Sequence, residues 1–233
     1  MTAIESACLN LAYPPRLDLG AQLTHEQLLS SMQAPMSASN SEANGPGNSV
    51  EKSRTLSDAS GPCMVILTGA SGSGKTAIAE AVASENAMEV AVHHFDSIGV
   101  PSTDAMIRDH GSGEAWQRSA TIEWLARIAP QVKSGCAVLL EGQMRISLIV
   151  EAAAAADIGS YTLLLIDCDD EVRADRLIVE RGQPELANKD MMNWASYLRS
   201  EAAHHGCEIV DTGQRTLGQS VALVLEYLRK LKP

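Results

Sequence analysis

Aromatic residues are scarce in this sequence: one Phe, three Trp and four Tyr make up 3 % of it. That is too few for a platform on which successive bases stack. Basic residues are also outnumbered, 18 Lys and Arg against 29 Asp and Glu, for a formal net charge of -11. A broad positive surface for a nucleic-acid backbone is thereby disfavoured, but a local positive pocket for one phosphorylated metabolite is not. No apolar run approaches about 18 residues, so no membrane span is expected. The start lacks a basic region followed by an apolar one, which predicts a chain that is not secreted. Five cysteines form no C-x-x-C pair and leave an odd count. Most of them flank predicted strands, where a thiol acts as a small hydrophobe, and a reducing cytoplasm is the expected setting.

What is present suffices for one medium-sized core, since 45 % of 233 residues are hydrophobic. Residues 31–62 are rich in Ser, Asn, Gly, Pro and Ala and short of branched apolar side chains. Such a stretch cannot bury enough surface to offset its ordering entropy, and residues 1–62 are read as a disordered tail and linker. A short helix with Thr24 as N-cap remains an alternative for the part before residue 31. From Cys63 to the end, strand and helix signals alternate. Strands are predicted over 64–68, 89–94, 137–140, 161–166 and 208–210, and helices over 75–85, 114–133, 145–156, 169–181, 189–205 and 217–231. Strands separated by helices imply an α/β domain over 63–233, with a five-stranded parallel sheet covered on both faces.

The text Gly69-Ala70-Ser71-Gly72-Ser73-Gly74-Lys75-Thr76 fits G-x-x-x-x-G-K-[ST] and lies between an apolar strand and a helix. Its glycines let backbone N–H groups fold round an anion, and the helix start adds a favourable dipole. The pattern assigns Lys75 to the β- and γ-phosphates and Thr76 to Mg²⁺. Across residues 63–233 the chain resembles the P-loop kinases of small molecules, the group that includes shikimate, gluconate and nucleoside monophosphate kinases. The resemblance rests on motif placement and element order, and it implies a three-layer fold with strand order 2-3-1-4-5.

A GTPase switch is disfavoured, because the nearest text to a guanine-reading motif, "ANKDMM", has Met191 where a second Asp belongs. In "AVHHFDSIGVPS", Asp96 falls just past the second strand, at the carboxyl edge where open α/β sheets bind ligands. In kinases of this type an acidic residue here faces the acceptor hydroxyl and the metal shell, a place from which a carboxylate orients the nucleophile and takes its proton. Ser97 is a further substrate-contact candidate, whereas His93 and His94 are given no catalytic role. In "CAVLLEGQMR", Glu141 ends a buried strand. It is a candidate to hold Mg²⁺ through water or to act as an alternative base. Gly142 would let a substrate approach the backbone, and Gln143 and Arg145 point to an acceptor's polar or anionic groups.

The resemblance also implies a short lid, about 181–190, with arginines that neutralise charge on the transferred group. Arg173, Arg176 and Arg181 lie on the helix entering it, and Arg176 and Arg181 are the nucleotide contacts expected. Trp194, Tyr197 and Leu198 recur at helical spacing and read as core. By the same resemblance Thr212, Gly213 and Gln214 cradle the base. The expected activity is transfer of the γ-phosphoryl of Mg·ATP to a hydroxyl or phosphate of a small molecule. A non-catalytic or slowly hydrolysing ATP-binding module stays open, as does, less favoured, a nucleic-acid end kinase. The sequence does not name the acceptor or the oligomeric state.

Overall fold

The runs "MVILT" and "AVLLEG" are apolar almost throughout, which suits strands covered on both faces. In a computed structural model, which describes residues 64–85 and 89–230, they form β1 (Met64–Thr68) and β3 (Ala137–Gly142), every residue buried. With β2 (Val90–His94), β4 (Thr162–Asp167) and β5 (Glu208–Asp211) they make a five-stranded sheet, ordered β2-β3-β1-β4-β5 and parallel throughout. The predicted tail over 1–62, with its candidate helix capped by Thr24, lies outside the described residues.

Alternate side chains of a strand point to opposite faces. Met64 and Ile66 therefore join Val138 and Leu140 in one core, and Val65 and Leu67 join Leu139, Leu164 and Ile166 in another. The first core is covered by α3 (Gly113–Lys133) and α4 (Ile146–Ala155), through Trp124, Leu125, Ile128, Val132, Ile149 and Ala152. The second is covered by α1 (Lys75–Ser84) and α7 (Leu217–Lys230), through Ile78, Val82, Val224 and Leu228. A third cluster packs α6 (Lys189–His205) by Met191, Trp194 and Leu198 onto Leu165 and Leu177. Trp194 and Leu198 thus bear out the predicted core stripe, while Tyr197 stays partly exposed.

Two elements differ from the sequence reading. No helix was predicted between 85 and 114, yet the text "PSTDAMIRDHGSGEAW" contains α2 (Thr103–His110). Its ends carry the signals of a helix: Ser102 accepts a hydrogen bond from the Ala105 N–H at 3.1 Å, Asp104 sits in the first turn, and Gly111 closes it at φ 84°. The helix predicted over 169–181 divides into α5 (Asp170–Asp175) and a π turn, Arg176–Glu180. Widened turns of this kind recur at functional sites. Here the turn buries Leu177 and leaves Ile178 and Val179 in solvent.

Of the cysteines among the described residues, Cys168 and Cys207 are free and Cys136 is disulfide-bonded. Cys136 and Cys168 are buried, and Cys207 is partly buried. No helix among the described residues is long and apolar enough to cross a membrane.

Gly142 was expected to admit a substrate to the backbone, but Phe95 occupies that side. A β-carbon at Gly142 would lie 2.3 Å from Cβ of Phe95, which is itself buried. Gly142→Ala is therefore expected to lower stability by about 1–3 kcal/mol through overpacking. Thermal denaturation checks this, and an unchanged transition would contradict the close packing of Phe95.

Candidate functional site

Between β1 and α1 the chain wraps into a loop from Gly69 to Gly74, and Gly74 is the N-cap of α1 at φ 91°. Gly72 has φ +78°, and a β-carbon there would also press on Arg173 and Leu177 at 3.1 Å. Only glycine takes that conformation without strain. Ser71 and Ser73 are buried, and the Ser73 Oγ has no hydrogen-bond partner among the described residues. Ala70 is buried beside them.

Lys75 follows at the start of α1, 8 % exposed. Burial lowers its pKa, while the charges of Glu141 and Asp96 favour its protonated form. Thr76 donates its hydroxyl proton to Glu141 Oε2 at 3.2 Å. The other Glu141 oxygen lies 2.7 Å from His94 Nδ1. The strand register explains this meeting, because His94 pairs with Glu141 at the carboxyl ends of β2 and β3. His93 takes the opposite face, where its Nε2 is 2.9 Å from Gln131 Oε1 and its ring tilts against Trp124.

Asp96 lies on the single 3₁₀ turn Phe95–Ile98 that follows β2, with Ser97 exposed beside it. Its residue surface is open to solvent. Crowding of its carboxyl by protein nevertheless raises its pKa, opposed by Lys75 and reinforced by Glu141. Solvent on the open face of the residue screens this effect. Arg181, exposed at the end of the π turn, is close enough to act electrostatically on both Lys75 and Asp96.

The other arginines are engaged elsewhere. Arg173 is fully buried beneath the loop, donating to Ser71 O at 2.9 Å, to Cys168 O at 3.1 Å and to Asp167 Oδ1. Arg176 donates to Thr212 Oγ1 at 2.8 Å, to Thr212 O at 2.9 Å and to Gly72 O at 3.3 Å. It straps the phosphate loop to the turn after β5. Thr212 Oγ1 also lies 2.8 Å from Ser73 O. The Gly213 N–H donates to Asp211 Oδ1 at 2.8 Å, and Gln214 is exposed. Arg199 binds Asp167 and Asp170.

On the acceptor side, Gln143 Oε1 receives the Ser71 hydroxyl at 3.3 Å, and Gln143 O accepts from Gln117 Nε2 at 2.9 Å. Arg145 is buried, with its guanidinium 5.2 Å from the Trp194 ring and 5.0 Å from the Tyr197 ring. Its Nη2 also faces Glu114 Oε2 at 3.6 Å. In the predicted lid, Leu186 on the turn Pro184–Leu186 is buried and anchors the segment from below.

The fold thus brings Lys75, Thr76, Asp96, Glu141 and Arg181 to one edge of the sheet. Thr212 and Arg176 flank the loop, while Gln143 reaches it through Ser71. His94 was given no catalytic role from sequence, and Arg173, named there with the lid arginines, is fully buried instead. His94 is detectable only once the parallel register of β2 and β3 is known.

These residues fit a nucleotide with a divalent cation. The glycine-bearing loop offers backbone N–H groups, the orphaned Ser73 hydroxyl lies within it, and Lys75 supplies buried positive charge. Thr76 and Glu141 are oxygen donors already in contact, the chemistry that magnesium prefers.

No family model matches the sequence, and no curated protein matches it in sequence. Among solved structures the chain is similar to a gluconokinase from Sinorhizobium meliloti 1021. The TM-score is 0.52 and the identity 20 %, over 73 % of this chain and 94 % of that one. It also matches a shikimate kinase from Acinetobacter baumannii in complex with shikimate, at a TM-score of 0.48 and 16 % identity over 73 % and 93 % of the two chains. A sugar kinase from Janibacter sp. HTCC2649, unliganded, matches at a TM-score of 0.42 and 22 % identity over 74 % and 99 %. The gluconokinase likeness shows that this chain has the fold of P-loop small-molecule kinases, including the sheet order.

Proposed function

We propose that this chain transfers the γ-phosphoryl group of Mg·ATP to a hydroxyl or phosphate group of a small molecule. The observation that carries the reading is the convergence of Lys75, Asp96 and Glu141 at one sheet edge. There each feels the others' charge, and Thr76 is hydrogen-bonded to Glu141. Bound magnesium would neutralise charge on the β- and γ-phosphate oxygens. The chain's own part is mostly positioning and fixed charge, since phosphoryl transfer needs little covalent help. The loop amides and Lys75 hold the phosphates and stabilise negative charge as it develops. Thr76 and Glu141 supply oxygens towards the metal. Asp96 orients the acceptor hydroxyl and takes its proton, a role helped by the nearby cation of Lys75, which favours the carboxylate. Arg181 adds positive charge from the lid side.

Gln143 and Arg145, with Ser97, form the acceptor contacts in this reading. Thr212, Gly213 and Gln214 lie on the base side, where Arg176 acts through the loop it straps.

Asp96→Asn tests the proposal, because it keeps the shape and removes the base. With a pooled metabolite library and Mg·ATP, the wild type is expected to turn over ATP in a library-dependent way. Asp96→Asn is expected to lose about 10²–10⁴-fold of that turnover, the range of general-base catalysis. Nucleotide affinity is expected to stay within a few-fold. ATP binding without library-dependent turnover, unaltered by the substitution, would instead identify a nucleotide-binding regulatory module.

A further inference from the structure

Glu141 has two oxygens and faces competing claims on them. Lys75 attracts it, Asp96 repels it, and the Thr76 hydroxyl binds Oε2 at 3.2 Å. A carboxylate with one oxygen unheld swings about its side-chain bonds and settles on the strongest cation in reach. Here that is the buried Lys75, whose ammonium is needed for phosphate. What holds the second oxygen is therefore chemically significant. His94 Nδ1 does so at 2.7 Å.

That contact has a fixed sense for an ionised Glu141. A carboxylate only accepts hydrogen bonds, so Nδ1 carries the proton and donates it. Its short length suits a donor to a charged acceptor. The ring is also well placed to hold still. It sits at the last residue of β2, in register with Glu141 on β3, its side chain 34 % exposed against 7 % for Glu141. A buried strand tip and an aromatic ring on the neighbouring strand leave little freedom to either partner. The adjacent His93 cannot substitute, since alternation turns it to the other face against Gln131 and Trp124.

We propose that His94 is a positioning residue: its Nδ1–H fixes Glu141 Oε1 so that Oε2 stays at Thr76, keeping the magnesium-side oxygens together and leaving Lys75 to the phosphates. This deepens the proposed function and rests on it. His94 itself makes no contact with phosphate or acceptor in this scheme. It acts through Glu141 alone, as partners behind metal ligands do elsewhere.

The scheme predicts a change in metal dependence that a loss of general stability would not produce. ATP binding to the full chain is measured by titration calorimetry, once with Mg²⁺ and once with EDTA. The quantity read is the ratio of the two affinities. His94→Leu and His94→Ala, two removals of different volume, are expected to lower the Mg²⁺-dependent gain by about tenfold or more, the usual effect of losing such a partner. Affinity in EDTA is expected to stay within about twofold, or to fall slightly as Glu141 moves onto Lys75. His94→Asn retains a side-chain N–H near the position of Nδ1 and is expected to restore most of the gain.

Equal Mg²⁺ gains in the wild type and both removals would overturn the role of His94 while leaving the proposed function standing. So would a loss of affinity in EDTA as large as that in Mg²⁺, or an Asn variant no better than the removals. A wild type that binds no ATP in either condition would overturn the proposed function, and this inference with it.

Discussion

Lys75→Met is expected to lower kcat/KM for ATP-dependent phosphoryl transfer by about 10²–10³-fold, equivalent to about 2.7–4 kcal/mol of transition-state stabilisation. Removing one preorganised donor from a dry site has this scale of effect, and Lys75 is 8 % exposed at the foot of the phosphate loop. Met fills similar volume, so the fold is expected to survive, and thermal denaturation of the variant checks that. The substitution also has a signed consequence for pH. Lys75 is the largest of the charges, with His94 and Arg181, that oppose the upward shift of the Asp96 pKa by crowding and Glu141. Without it the pKa moves further up, and Asp96 is ionised only at higher pH. The residual activity is then expected to fail, as pH is lowered, at a higher pH than in the wild type. Steady-state rates across a pH series check both parts. A variant within a few-fold of wild type would remove Lys75 from the chemistry and leave the loop as a nucleotide holder.

The loop around Lys75 was legible because its chemistry is local: glycines, a lysine and a threonine at fixed spacing between a strand and a helix. The strands were legible for a related reason, since β1 and β3 are buried on both faces and read as unbroken apolar runs. What the text could not show depends on register and docking. His94 and Glu141 are 47 residues apart, and only the parallel alignment of β2 with β3 makes them neighbours. Gly142 reads as an opening in the backbone until the turn after β2 folds Phe95 against it. The helix α2 was passed over although Ser102 and Gly111 bracket it, because a Gly- and Ser-bearing stretch beside a predicted site invites a loop reading. The arginines show the same limit most clearly. Arg173, Arg176 and Arg181 look alike in sequence, yet one is fully buried, one is bound to Thr212 and Gly72, and one is exposed at the end of the π turn. The π turn that follows α5 sets that division, and no residue pattern announces it.

Arg173→Met is expected to be strongly destabilising. Arg173 is fully buried and bridges Ser71 O, Cys168 O and Asp167, tying the phosphate loop to the end of β4. Truncating one partner of a buried pair typically costs about 3–5 kcal/mol, because the other charge is left without compensation. Here Arg199 still reaches Asp167 Oδ2 at 2.5 Å, so Asp167 keeps a partner. The expected loss is therefore near the lower end, about 3 kcal/mol. At about 2–4 °C per kcal/mol for a domain of this size, the melting temperature would fall by roughly 6–12 °C. The phosphate loop carries part of the effect, since the carbonyl of Ser71 loses its donor. Nucleotide affinity should drop as well, as the loop loses its brace from below. A double variant, Arg173→Met with Asp167→Leu, distinguishes lost charge pairing from lost packing. Replacing a buried ion pair by apolar groups is often neutral. The double variant is therefore expected to be more stable than Arg173→Met alone, with Arg199 retaining Asp170 and solvent. Denaturant titration of the wild type, both single variants and the double variant checks this. Strictly additive losses would mean that its bond to Asp167 adds nothing, and that Arg173 contributes through its bonds to Ser71 O and Cys168 O and its packing under the loop.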